Sequence, residues 1–194
     1  EPSMSQQSSP SGSLPFSDFL ADEAASADFA SKLAVCLHPG LVVYLEGDLG
    51  AGKTTLVRTL LRALGHKGPV KSPTYALVEV YVVSSLYWYH FDFYRFNHPE
   101  EFVDAGLGEY FRNDSVCLVE WPDKAVGFVP AADLVISLGF ERAGAGSDPG
   151  EGRSIKLCAG STEGEKCLNA FRNSLTPTAA SCSVLPVAPP SSSS

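Results

Sequence analysis

One octapeptide limits what this chain can fold into more than any other segment. Gly47-Asp48-Leu49-Gly50-Ala51-Gly52-Lys53-Thr54 has the spacing G-x-x-x-x-G-K-T. Glycines so placed let successive backbone N–H groups turn inward around an anion that side chains would obstruct. The flanks agree. Leu41-Val42-Val43-Tyr44-Leu45 is a short, continuous apolar run, as a strand buried on both faces requires. Thr54 to Leu64 carries Leu56, Val57, Leu60, Leu61 and Leu64 on one helical face and Arg58 and Arg62 on another, with Gly65 placed to end the helix. Strand, glycine loop and helix in that order aim the positive end of a helix at the same anion. The pattern reads as a triphosphate cradle, with Lys53 reaching the β- and γ-phosphates and the Thr54 hydroxyl ligating magnesium.

The remaining chain alternates in the same manner. Residues 22–38 place Ala25, Phe29, Ala30, Leu33, Ala34 and Leu37 at the helical period before Pro39-Gly40 stops them. Residues 76–83 and 86–93 read as strands joined into a hairpin at Ser84-Ser85. Asn97-His98-Pro99-Glu100-Glu101 reads as a helix start with a side-chain cap, an early proline and acidic residues in the first turn. Residues 115–120, 134–140 and 153–158 complete the strands. The expected fold is α/β, a three-layer P-loop domain with a mainly parallel sheet and an antiparallel hairpin insertion. It should occupy residues 14–173, between a disordered Ser-, Gln- and Pro-rich segment at 1–13 and a low-complexity tail at 174–194. The glycine-rich stretch 143–152 reads as a loop. Sites of this kind use a second magnesium-side carboxylate at the end of a neighbouring apolar strand. Glu120, after Val116-Cys117-Leu118-Val119, is the candidate, acting through a water; a strand-end surface charge is the other reading.

Charge narrows the partners. Fourteen Lys and Arg against 22 Asp and Glu leave a net charge of −8, which disfavours strong direct contact with tRNA or DNA, where phosphate contacts dominate affinity. No apolar run approaches the roughly 20 residues that cross a bilayer, and no Lys or Arg precedes Lys32 to form a secretion or transit signal. A cytoplasmic location is expected, without a membrane partner. Cys36, Cys117, Cys158, Cys167 and Cys182 fit no metal or redox spacing and read as buried thiols of a reducing compartment.

Four motifs then occur in order: Gly47-Asp48-Leu49-Gly50-Ala51-Gly52-Lys53-Thr54-Thr55, Ser72-Pro73-Thr74-Tyr75, His90-Phe91-Asp92-Phe93-Tyr94-Arg95 and Glu120-Trp121-Pro122. Together they closely resemble the TsaE (YjeE) family of bacterial ATPases, over roughly residues 22 to 158. These assist synthesis of threonylcarbamoyladenosine, the modified base beside the anticodon of ANN-decoding tRNAs. The resemblance implies ATP and Mg2+ as ligands, with Asp48, Leu49, Gly50, Ala51, Gly52, Lys53, Thr54 and Thr55 around the phosphates. It implies a partner complex of TsaD and TsaB homologues, which ATP turnover resets between rounds of modification, and only an indirect relation to tRNA.

Residue by residue, Ser72-Pro73-Thr74-Tyr75 matches the family's switch-like loop, and Thr74 supplies the hydroxyl that a γ-phosphate sensor needs. Period-two alternation puts His90, Asp92 and Tyr94 on one strand face, with Tyr87, Tyr89, Phe91 and Phe93 on the other. The family match makes Asp92 a functional position, either orienting or deprotonating the attacking water or holding a magnesium-bound water. His90 reads as a structural histidine, and Arg95 as structural or partner-facing on the opposite face. Trp121 reads equally as a group packed near the nucleotide and as core. The resemblance also brings Glu23 near the adenine and makes Lys124 and Arg153 nucleotide contacts, beside the reading of each as a surface charge. With no trans-acting residue visible, hydrolysis by the chain alone should be slow. Two alternatives share the loop: a small-molecule kinase, for which the arginines look too scattered, and a regulatory module holding nucleotide without turnover.

Overall fold

The structure is a computed structural model that describes residues 12–140 and 152–176. Seven strands form one sheet in the order β1-β7-β6-β2-β5-β4-β3: β1 (Phe16–Leu20), β2 (Val42–Glu46), β3 (Val78–Val83), β4 (Leu86–Asp92), β5 (Ser115–Glu120), β6 (Leu134–Gly139) and β7 (Arg153–Ala159). The four central strands, β6-β2-β5-β4, are parallel, while β1, β7 and β3 join the two sides antiparallel. Every residue of β5 is buried, as a parallel strand covered on both faces must be. The Ser84-Ser85 turn has positive φ at both residues, 52° and 62°, the mirror-image turn whose twist suits a two-residue hairpin.

Helices α1 (Glu23–Ala34), α2 (Lys53–Ala63) and α4 (Thr162–Leu175) cover one face. Their Phe29, Leu33, Val57, Leu60, Leu168 and Phe171 pack on Val43, Leu45, Leu118 and Ile136 of the sheet. The opposite face is closed by less regular chain. Phe93, Phe96, the short α3 (Glu101–Asp104) with Phe102, and two 3-10 turns at Leu107–Tyr110 and Pro122–Ala125 pack on Val42, Phe91, Cys117 and Val119. The third layer is therefore mostly aromatic side chains on short turns rather than long helices.

Several boundaries differ from expectation for local reasons. The helix at 22–38 ends at Ala34, and Asp22 caps it by accepting from the Ala25 N–H at 2.8 Å. No side chain caps α3 from Asn97; instead the Glu101 carboxylate reaches back to the N–H groups of Asn97 and His98, at 2.6 and 3.0 Å. The strand from 76 begins at Val78, because Leu77 turns left-handed at φ 68° and donates to the Pro73 carbonyl at 2.7 Å. The strands expected at 86–93 and 134–140 stop at Asp92 and Gly139.

Two elements were not foreseen, β1 and α4. Asp133 ties α4 in. Its carboxylate accepts from the Val42 N–H and the Ser161 hydroxyl at 2.8 and 2.6 Å, and its carbonyl accepts from the Gly160 N–H. A Cβ on Gly164, in the first turn of α4, would lie 1.6 Å from that carbonyl oxygen, so only glycine allows the approach. The helix continues to Leu175, past the expected domain edge at 173. The disordered segment expected at 1–13 lies outside the described residues except for its last two positions, as does the tail from 177 onward and all of the 143–152 loop but Gly152. Among the described residues, no helix is long and apolar enough to cross a membrane.

Candidate nucleotide site

The site forms where three parallel strands end. Glu46 closes β2 and passes directly into the glycine loop, while Asp92 and Glu120 are register partners at the ends of β4 and β5. Ligands of open α/β sheets gather at these carboxyl ends. Gly52 caps α2 in the left-handed conformation, φ 99°, which a side chain resists. The first N–H groups of α2 have no partner within the helix and face the loop's concavity as donors for an anion. At its other end α2 closes with Gly65 N–H on Arg62 O and His66 N–H on Leu61 O, the paired bonds of a glycine-terminated helix.

A cavity of about 440 Å³ opens over this loop, lined by Leu49, Gly50, Gly52, Lys53, Thr54 and Thr55 and also by Thr74, Asp92, Glu120, Trp121 and Arg153. Lys53 is buried at 5% exposure. Its ammonium donates to the carbonyls of Gly47 and Asp48 and lies 4.3 Å from the centre of the Trp121 ring. Burial pushes the Lys53 pKa below its ordinary value, while the carboxylates of Glu120, Asp92, Asp48 and Asp123 pull it back up. A cation so surrounded gains when phosphate replaces lost water.

Two hydrogen-bonded chains cross the cavity. The Thr54 hydroxyl donates to Glu120 Oε1 at 2.8 Å, and His90 Nε2 meets the same oxygen at 2.8 Å. Thr74 Oγ1 donates to Asp92 Oδ2 at 3.1 Å, and the Tyr94 N–H donates to Asp92 Oδ1 at 2.9 Å. The 72–77 loop is thus tied to Asp92 both through Thr74 and through the bond from Asp92 N–H to Leu77 O. A nucleotide with Mg2+ fits this donor set: backbone N–H groups and a buried ammonium for phosphate, a hydroxyl and two carboxylates for a hard cation that keeps waters and phosphate oxygens as its other ligands. Among the described residues no group of three or more His, Cys, Asp or Glu forms a protein-only metal cage, and magnesium at a phosphate site needs none.

The sequence-derived candidates separate clearly. Lys53, Thr54, Thr55, Thr74, Asp92, Glu120, Trp121 and Arg153 converge on one cavity. Asp48 contributes its carbonyl to Lys53, and Ala51 is a buried loop residue whose N–H bonds Asp48 O. Glu23, at the start of α1, and Lys124, in the 3-10 turn after Trp121, are not among the lining residues. Trp121 stands at φ 56°, a costly backbone for a bulky residue that collects at functional sites. Three contributors were not among the sequence-derived site residues. Ser72 and Tyr94 line the cavity, and so does Arg95, whose guanidinium stacks 4.2 Å over the Tyr75 ring. Arg95 was expected on the opposite face. Because β4 ends at Asp92 and the chain turns through Phe96 N–H on Phe93 O, strand alternation no longer governs its direction. His90 is 1% exposed and bonded to Glu120.

Comparison with known proteins agrees with this geometry. The family model described as "Threonylcarbamoyl adenosine biosynthesis protein TsaE" matches residues 20–145. A Haemophilus influenzae tRNA threonylcarbamoyladenosine biosynthesis protein TsaE is 41% identical over 160 residues, covering 80% of this chain and 96% of that protein. The Bacillus subtilis protein of the same name is 46% identical over 92 residues, 47% of this chain and 57% of the relative. Among solved structures, Bacillus subtilis YdiB superposes with a TM-score of 0.67 at 29% identity, covering 83% of this chain and 96% of that one. An α/β P-loop fold, a loop-centred cavity walled by Thr74, Asp92 and Glu120, and a family match over most of the folded part place this chain in the TsaE family.

Proposed function

We propose that this chain is an ATPase subunit required for threonylcarbamoyladenosine modification of ANN-decoding tRNA, acting by ATP-driven conformational cycling on a TsaD–TsaB complex. The observation that carries the reading is the bond between Thr74 and Asp92, which joins the loop after α2 to a carboxylate placed beside the triphosphate cradle. Backbone N–H groups of 48–55 and Lys53 would hold the phosphates, with the Arg153 side chain beside Gly52 of the loop. Trp121 supplies a flat aromatic wall beside Lys53. Thr54 and Glu120 would hold Mg2+, which would supply neutralising charge to the phosphates. Asp92 accepts a hydrogen bond from the attacking water at Oδ2, and Thr74 exchanges its bond to Asp92 for one to the nucleotide. The loop therefore reports the state of the γ-phosphate, and a partner resting on it feels hydrolysis. The exposed Tyr75, 83% accessible, gives such a partner a handle.

ATP hydrolysis by the purified chain with Mg2+, with and without TsaD and TsaB, tests the reading. Slow turnover alone and faster turnover with both partners supports it; rapid turnover alone, or none under any condition, does not. One observation favours the kinase alternative: Arg95 and Arg153, distant in sequence, line the same cavity. Phosphate transfer to nucleosides or sugars, assayed beside hydrolysis, separates the two.

A further inference from the structure

His90 is the most deeply buried ionisable side chain near the cavity, at 1% exposure on β4. It sits between Glu79 of β3 and Leu118 of β5 in the sheet register. Its Nδ1 has no hydrogen-bond partner among the described residues and is out of solvent. Leaving a buried polar atom unpaired carries a desolvation cost that leucine at the same position would avoid. Among the described residues, the single polar contact that the ring makes is Nε2 on Glu120 Oε1 at 2.8 Å. Toward a carboxylate oxygen, the ring donates in its Nε2–H tautomer.

Glu120 Oε1 also receives the Thr54 hydroxyl, whereas Oε2 takes part in neither bond. In the nucleotide reading Thr54 serves the divalent cation and is drawn away from Glu120. His90 then remains as the fixed hold on that carboxylate. We propose that His90 is a positioning residue of the nucleotide site: its Nε2–H pins Oε1 of Glu120, so that the carboxylate keeps one orientation toward the magnesium side of the cavity. The inference rests on the nucleotide-site reading above. Partners in this relation to a metal-side ligand typically change metal affinity about 10–100-fold when removed.

Calorimetric titration of ATP into the full chain, across a series of Mg2+ concentrations and in EDTA, tests it. His90→Leu is expected to bind ATP as wild type does in EDTA, and to need about tenfold more Mg2+ or beyond to reach the tight-binding state. His90→Gln, whose amide N–H reaches the same oxygen, should restore most of the wild-type Mg2+ dependence. Should His90→Leu fail to fold, His90→Asn takes its place, since its amide stops short of Glu120; thermal melting checks both. Wild-type Mg2+ dependence in His90→Leu or His90→Asn overturns the proposal. Loss in His90→Gln equal to that in leucine does the same. Failure of the wild type itself to bind ATP would instead remove the nucleotide reading, a distinguishable result.

Discussion

Lys53 holds an ammonium at 5% exposure among carbonyls and an indole ring, and that arrangement has a sign that can be worked out. Its folded-state pKa lies below the ordinary lysine value, chiefly because of burial. Between that lowered value and the ordinary one, the unfolded chain still binds a proton that the folded chain has released. Stability therefore rises with pH across this window and is least favourable below it. Lys53→Met should thus melt no lower than wild type at pH 7 without nucleotide, with its relative advantage shrinking as pH approaches the ordinary lysine value, while losing ATP affinity. A lower melting temperature would show that the bonds to Gly47 and Asp48 outweigh the buried charge. Asp92 behaves differently. Asp92→Ala should bind Mg2+-ATP within a few-fold of wild type and lose about 10²–10⁴ in single-turnover hydrolysis, the usual worth of a positioned acid–base group. Glu120 was legible because it ends an apolar strand, where the fold gathers its chemistry, whereas Asp92, expected inside a strand running to Phe93, was legible through the motif resemblance. Arg95 was not legible, because one turn beyond Asp92 decides its direction and alternation says nothing about turns.

At the level of elements, the phosphate loop was readable from its glycine spacing, and α2 from periodicity, because it buries one face through Leu56, Val57, Leu60 and Leu61. β1 and α4 were not. β1, Phe16-Ser17-Asp18-Phe19-Leu20, is an edge strand with mixed burial, and α4 opens with a glycine in its first turn, which propensity scores against. The glycine is required by the Asp133 carbonyl, a contact 31 residues away in sequence. Gly164→Ala should cost roughly 1–3 kcal/mol in urea denaturation, as overpacking does; an unchanged midpoint would mean that α4 slides without cost. Thiol chemistry gives a second check. Burial pushes Cys117 on β5 and Cys167 on α4 up to about 12, so both should resist thiol reagents in the native protein and react once it unfolds. Cys36 and Cys158 are only partly buried, against the expectation of uniformly hidden thiols, and should label first. Cys182 lies outside the described residues.

For the molecule as a whole, binding at the loop reports on global stability. If ATP with Mg2+ binds only the folded chain, a concentration of 100 times Kd should add about 2.7 kcal/mol. For a domain of this size that raises Tm by roughly 5–10 °C. No shift by differential scanning fluorimetry would leave the cradle without its ligand. The sheet order also has a temporal meaning. β2, which delivers the glycine loop, pairs with β5 and β6 and with no strand near it in sequence. A nascent chain that has passed residue 100 carries all of 47–54, yet neither neighbour of the strand that presents it. Nucleotide competence therefore arrives late in synthesis, after Gly139 has emerged, and a ribosome-held fragment ending before Ser115 should pass over ATP resin unretained.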